Sequence, residues 1–255
     1  MAIKDRFIHT RHGRIHALEA GSGTPLILLH TLGGSSYQFI ETLPLLAERH
    51  HALALDMVGH GDSDPLAHHL SMEQHAEAII DVADQLGAAR VNVFGQSVGG
   101  YLAAALAANW KSRIGKSIVG EAPPRVMSDY VEGWAAAEAM WANVNNTFEE
   151  VRPRMRELTP AVFQRWNIDR NKAGAKTLML TYWAIREFDF VDAIRRSEVP
   201  TMMLLGEKSM AAQLANYQKH GMTRFPVKVM PNCGHFLSLD DSKLLAQIVD
   251  QFVYV

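Results

Sequence analysis

The feature that most constrains this chain is Gly95-Gln96-Ser97-Val98-Gly99, preceded by the apolar run Val91-Asn92-Val93-Phe94 and followed by Gly100. Glycines two residues either side of a serine, between a buried-strand pattern and a helical one, suit a sharp strand-to-helix turn. A side chain at either glycine would collide with neighbouring backbone. Such a turn presents the serine hydroxyl at a helix N-terminus, where the macrodipole and free N–H groups favour developing negative charge. Ser97 is therefore the candidate nucleophile. A serine hydroxyl is weak in that role and needs a base to take its proton. The chain offers His235, in Cys233-Gly234-His235-Phe236, on a loop between a strand pattern at 227–230 and the last helical stretch. His30 and His60 also fall at expected strand ends, where hydrogen bonding within a loop is the plainer reading.

The same strand-then-helix rhythm runs through most of the chain. Buried-strand patterns at 26–30, 52–56, 91–95, 117–120, 202–206 and 227–230 alternate with helical spacing at 36–48, 72–86, 98–110, 211–220 and 242–254. Alternation of this kind predicts an α/β fold with a doubly wound, mostly parallel sheet. Residues 7–20 read as an antiparallel leader of two short strands turning near His12-Gly13, and Ser71 with Gln74 forms a capping-box start. The rhythm fails from 122 to 196. That stretch is rich in aromatics and helix formers, so it reads as a helical lid inserted into a core domain made of 1–121 and 197–255.

Composition bounds the partners. Net charge is −2 over 255 residues, leaving no basic footprint for a nucleic acid or an anionic membrane. A small-molecule partner fits better. Cys233 is the lone cysteine and cannot make an intrachain disulfide. The polar start from Met1 to Arg6 lacks a signal-peptide core, so a cytoplasmic location is expected. No apolar run approaches the roughly 20 residues of a membrane span. The 12 histidines are scattered, without a HExxH or a compact ligand set, so neither a metal site nor a cofactor is expected.

With His30-Thr31-Leu32-Gly33-Gly34 and Asp56-Met57-Val58-Gly59-His60-Gly61-Asp62-Ser63 added to the serine turn and Gly234-His235, the chain resembles the α/β-hydrolase superfamily along almost its whole length. The resemblance implies an oxyanion hole made by the N–H groups of Leu32 and Val98, although Thr31 stands where the family usually has glycine. It also implies an acid partner for His235. The usual late position, three residues beyond Gly206, is Ser209, which cannot carry that charge. Some branches of the family that this chain resembles, including haloalkane dehalogenases and zearalenone-type lactone hydrolases, carry the acid instead after the strand that follows the nucleophile helix. Glu121 stands there. Glu207, Asp192 and Asp240 are the alternatives.

The resemblance implies a serine hydrolase of a small, largely apolar ester or lactone, with carbon–carbon bond cleavage also compatible. The serine argues against the alkyl-ester chemistry of dehalogenases and epoxide hydrolases, which need aspartate at that point. A cofactor-free dioxygenase using a His235/Glu121 dyad, and a ligand-binding protein without catalysis, are the competing readings. Aromatics of the lid would supply apolar walls, with Trp183 the first choice for a ligand contact ahead of Trp134, Trp141 and Trp166. Arg125, Arg152, Arg154 and Arg156 read as solvated helix surface.

Overall fold

The computed structural model describes residues 2–131 and 133–254. Its strands are β1 Lys4–Thr10, β2 Gly13–Ala20, β3 Thr24–Leu29, β4 His50–Leu55, β5 Val91–Gln96, β6 Ile114–Gly120, β7 Thr201–Gly206 and β8 Val227–Met230. They form one sheet in the order β1-β2-β4-β3-β5-β6-β7-β8. The pairs β1–β2 and β2–β4 are antiparallel, and every later pair is parallel. The α-helices are α1 Thr42–Leu46, α2 Met72–Gln85, α3 Val98–Asn109, α4 Trp134–Ala142, α5 Phe148–Val151, α6 Pro160–Glu187, α7 Phe190–Arg196, α8 Glu207–Lys219, α9 Leu237–Asp240 and α10 Ser242–Tyr254. This is the doubly wound sheet that the alternating pattern predicts.

Successive side chains of a strand point to opposite faces, so continuous apolar strands fill two cores at once. Ile27 and Leu29 of β3, with Met203 and Leu205 of β7, join α2, α3 and α7 on one face. Leu26, Leu28, Met202 and Leu204 join α1 and α10 on the other. Burying a side chain of this size contributes about 2 kcal/mol, so both faces must be covered. The alanines of α3 let that helix pack close against the sheet, and they are fully buried from Ala103 to Ala105. The capping box of α2 forms as expected: Ser71 Oγ accepts from Gln74 N, and Gln74 Oε1 accepts from Ser71 N.

Two helices differ from expectation. The pattern at 36–48 splits into a 3-10 turn, Ser36–Phe39, and the short α1. Pro44 has no N–H to donate to the carbonyl of residue 40, so a continuous ladder cannot form. The pattern at 211–220 begins sooner, at Glu207, directly after Gly206. That start places Ser209 and Gln213 one turn apart on one helix face.

Between β6 and β7 the described residues hold helices and turns but no strand. Thr159 caps α6 by accepting from Val162 N, and Pro160 occupies its first position. Gly174, at φ 73 and ψ 156, breaks α6 inside its length. Helix α7 packs against α3, and its Phe190 and Ile194 are fully buried. Among the described residues no helix is long and apolar enough to cross a membrane.

Candidate active site

Ser97 lies at the carboxyl edge of β5, between the strand and α3, with φ 57 and ψ −118. Its N–H donates to the Gly120 carbonyl at 2.8 Å, and its own carbonyl accepts from Gly100 N. The flanking glycines are needed for space. A Cβ at Gly95 would stand 1.9 Å from the Gly99 carbonyl oxygen, and one at Gly99 would stand 2.3 Å from that of Leu29. The three non-glycine residues with positive φ among the described residues are Ser97, Glu121 and Asn232. They end β5, follow β6 and open the loop to His235, so the unfavourable backbone states gather at one edge of the sheet. Ligands of open α/β sheets bind at that edge.

Glu121 and His235 meet there, with His235 Nδ1 3.3 Å from Glu121 Oε2. Glu121 is fully buried, and a buried carboxylate requires donors. It has four. Gly206 N and Ser209 Oγ donate to Oε1 at 2.6 and 2.5 Å, while Gln213 Nε2 and His235 Nδ1 approach Oε2. Ser209, at the usual acid position, thus serves Glu121 as a donor. Pairing through Nδ1–H leaves His235 Nε2 as the ring's acceptor. The other candidate acids are engaged elsewhere: Glu207 with Asn232 N, Asp192 with Arg196, and Asp240 with the N–H groups of Gly234 and Arg156.

A second buried network, not foreseen from motifs, joins the loops around Ser97. Thr31 donates from both N–H and hydroxyl to Gln38 Oε1, at 3.0 and 2.9 Å. Gln38 Nε2 reaches Gln96 Oε1 at 3.3 Å and Ser238 Oγ at 3.1 Å. Gln96 Nε2 in turn donates to the His235 carbonyl. The Thr31 hydroxyl that departs from the family pattern is therefore a bonded part of the loop that carries Leu32. Leu32 is buried and lines the cavity at Ser97; Val98 is buried as the first residue of α3. The first N–H groups of a helix have no intrahelical acceptor.

His30 and His60 take the plainer role. His30 Nδ1 donates to the Thr31 carbonyl at 2.7 Å, and its Nε2 accepts from Met57 N at 3.0 Å. Burial lowers its pKa. His60 is buried beside it, and burial followed by the nearby His30 charge pushes its pKa down to about 3.

The cavity over Ser97 measures about 470 Å³, and Leu32, Ser97, Trp141, Trp166, His235 and Phe236 are among its walls. A second cavity of about 340 Å³ shares Thr31, Trp166 and Phe236 with it and extends over Gly33 and Gly34. Trp183 does not line either. It is 38% exposed on α6, with Nε1 donating to Glu187 at 2.7 Å and its ring edge-on to Trp134. The expectation of Trp183 as pocket wall is corrected to Trp141 and Trp166, because Trp183 packs against Trp134 and Glu187 instead. Arg154, expected on solvated surface, also lines the cavity.

A family model described as the alpha/beta hydrolase fold matches residues 24–152, more than half of the chain. The dihydrolipoyllysine-residue acetyltransferase component of the acetoin cleaving system of Pseudomonas putida is 25% identical over 239 residues, 88% of this chain; the match spans 62% of that protein's length. Haloalkane dehalogenase 2 of Mycobacterium tuberculosis is 23% identical, with 98% of this chain and 95% of the dehalogenase covered. A serine hydrolase involved in carbazole degradation superposes with a TM-score of 0.83 at 19% identity, over 99% of each chain. The matched motifs, the sheet order and the serine turn agree: the chain belongs to the α/β hydrolase fold family.

Proposed function

We propose that this chain is a serine hydrolase of small, largely apolar esters or lactones, acting through an acyl-enzyme on Ser97. The observation that carries the reading is the Glu121–His235 pair, 3.3 Å apart, at the wall of the cavity that Ser97 lines. Ser97 Oγ attacks the carbonyl carbon while its proton passes to His235 Nε2. The N–H groups of Leu32 and Val98 hold the oxyanion. Collapse breaks the bond to the leaving oxygen, which takes the proton from His235. Water then attacks the acyl carbon by the same route and restores the serine hydroxyl. Glu121 keeps Nδ1 protonated and offsets the imidazolium charge. Residues 122–196 act as the cap over this centre, with Trp141 and Trp166 as apolar walls and α7 fastening the insertion to α3.

Labelling with a fluorophosphonate tests this. The native chain takes up one label, and Ser97→Ala takes up none. Absence of labelling together with substrate-dependent oxygen uptake would instead favour the dioxygenase reading. Ligand binding without labelling, turnover or oxygen uptake would favour a pure binding role.

A further inference from the structure

The cavity at Ser97 carries charge of one sign. Arg154 and Lys208 are among its walls, and none of its described lining residues is aspartate or glutamate. The carboxylates near it are already occupied. Glu121 lies beneath His235 under four donors, and Asp240 accepts from Gly234 N and Arg156 N at 2.6 Å each. Among the described residues neither Arg154 nor Lys208 has a carboxylate oxygen within 4.0 Å, whereas Arg156 stands 4.0 Å from Asp241.

Arg154 lies along the cavity wall, its Nη2 3.8 Å from Met140 Sδ and its Cζ 5.8 Å from the centre of the Trp166 ring. Behind that wall is a third cation. Arg170 is 2% exposed, with its guanidinium 5.2 Å from the Trp141 ring and 5.9 Å from that of Trp166. It donates to the carbonyl oxygens of Asn143 and Met140, and its Nε has no partner among the described residues. Burial and then the charge of Arg154 push its pKa down to about 10, so it stays charged at neutral pH. An apolar cavity walled by cations without counter-ions focuses a positive potential on whatever enters. A guanidinium fork suits a carboxylate better than it suits water.

We propose that this pocket takes an acyl substrate bearing a second, ionised carboxylate, which Arg154 and Lys208 engage while the ester or lactone carbonyl lies at Ser97. The proposal rests on the hydrolase reading for its geometry, but anion recognition itself needs no turnover.

The test pairs the para-nitrophenyl monoester of glutaric acid with para-nitrophenyl pentanoate, which has the same chain length and no charge. The native chain should show kcat/KM on the order of tenfold higher for the acid, since two half-solvated ion pairs supply about that much. About 0.5 M salt should shrink the preference. R154Q and K208Q should each lower the ratio, and together they should bring it near one. A native ratio near one, or a ratio that neither variant moves, overturns the proposal and leaves the two cations as wall packing.

A separate arm reads binding alone. Calorimetry on Ser97→Ala should find phenylbutyrate bound about tenfold tighter than phenylbutyramide, with the difference lost when Arg154→Gln is added. Equal binding of acid and amide overturns the proposal whatever the turnover. Failure of fluorophosphonate labelling beside a clear preference for the acid would sink the hydrolase reading and keep the anion site.

Discussion

At the scale of single residues, Glu121 is set by its surroundings more tightly than the imidazole it faces. It is fully buried under four donors, while His235 is 40% exposed. Exchanging its charge for an amide keeps the shape and removes the counter-charge to an imidazolium. Turnover of Glu121→Gln at saturating substrate should therefore fall, by up to ~10⁴-fold if the carboxylate acts as a triad acid does. Glu207→Gln should leave the rate close to native, because that carboxylate serves Asn232 N. A normal rate for Glu121→Gln would reject the relocated acid. Ser209→Ala should separate structure from chemistry. It removes one donor from a buried oxygen, which costs about 1–3 kcal/mol of stability. Gly206 N, Gln213 and His235 remain, so the loss in kcat should be far smaller than for Glu121→Gln. Equal losses in the two variants would mean that Ser209 has a chemical role of its own.

At the scale of elements, the strands and three of the five expected helices followed their patterns, and two helices were redrawn by backbone chemistry. Apolar runs from β3 to β7 were legible because a parallel strand buried on both faces must be apolar throughout. The edges of the helices at 36–48 and 211–220 were not, since Pro44 and Gly206 act through backbone chemistry that periodicity does not report. Gly174 is the clearest case. Its φ of 73 and ψ of 156 belong to a region that side chains with a Cβ adopt at a cost of about 1–3 kcal/mol. A Cβ there would meet nothing within 4 Å, so the cost of Gly174→Ala is conformational and not steric. Urea unfolding should show a loss of that size. No loss would mean that the break in α6 is not held in the folded chain.

At the scale of the whole molecule, buried imidazoles set the response to acid. Burial lowers the pKa of His30, brings that of His60 to about 3 with help from the His30 charge, and brings that of His75 to about 4. A histidine with a lowered folded pKa takes its proton first in the unfolded chain, so its contribution is full above about 6.5 and is lost as pH falls below it. His16 has the opposite sign. Burial lowers its pKa, but hydrogen bonds to Asp56 and Asp5 outweigh that and raise it, so its contribution is full below 6.5 and lost at higher pH. Asp56, held at about 2 against its own burial by His16, His30 and the N–H groups of Asp62 and Ser36, loses its contribution only as pH falls below about 4. Three histidines outweigh one. The free energy of unfolding from urea titrations should drop as pH is lowered from 7 to 5, by up to about 1.4 kcal/mol per pH unit for each neutral buried ring. His75→Leu should flatten that slope, since its neighbours Ile15, Leu29, Leu55 and Ile79 are apolar. A free energy of unfolding independent of pH would contradict the account.

The sequence by itself determined the sheet, the serine turn and the strand ends that gather at one edge of it, while Glu121 was one of several candidate partners for His235. Each depends on local rules: alternation along a strand, the space a glycine leaves, and the return of the chain to one edge after every helix. Only the tertiary structure decided that Ser209 and Gln213 would hold Glu121, that Gln38 and Gln96 would tie Thr31 to the His235 loop, and that Trp141, Trp166 and Arg154, in place of Trp183, would face the cavity. Those outcomes depend on which face each helix and loop turns toward its neighbours. That orientation is chosen by packing between segments far apart in the chain, and no local period encodes it.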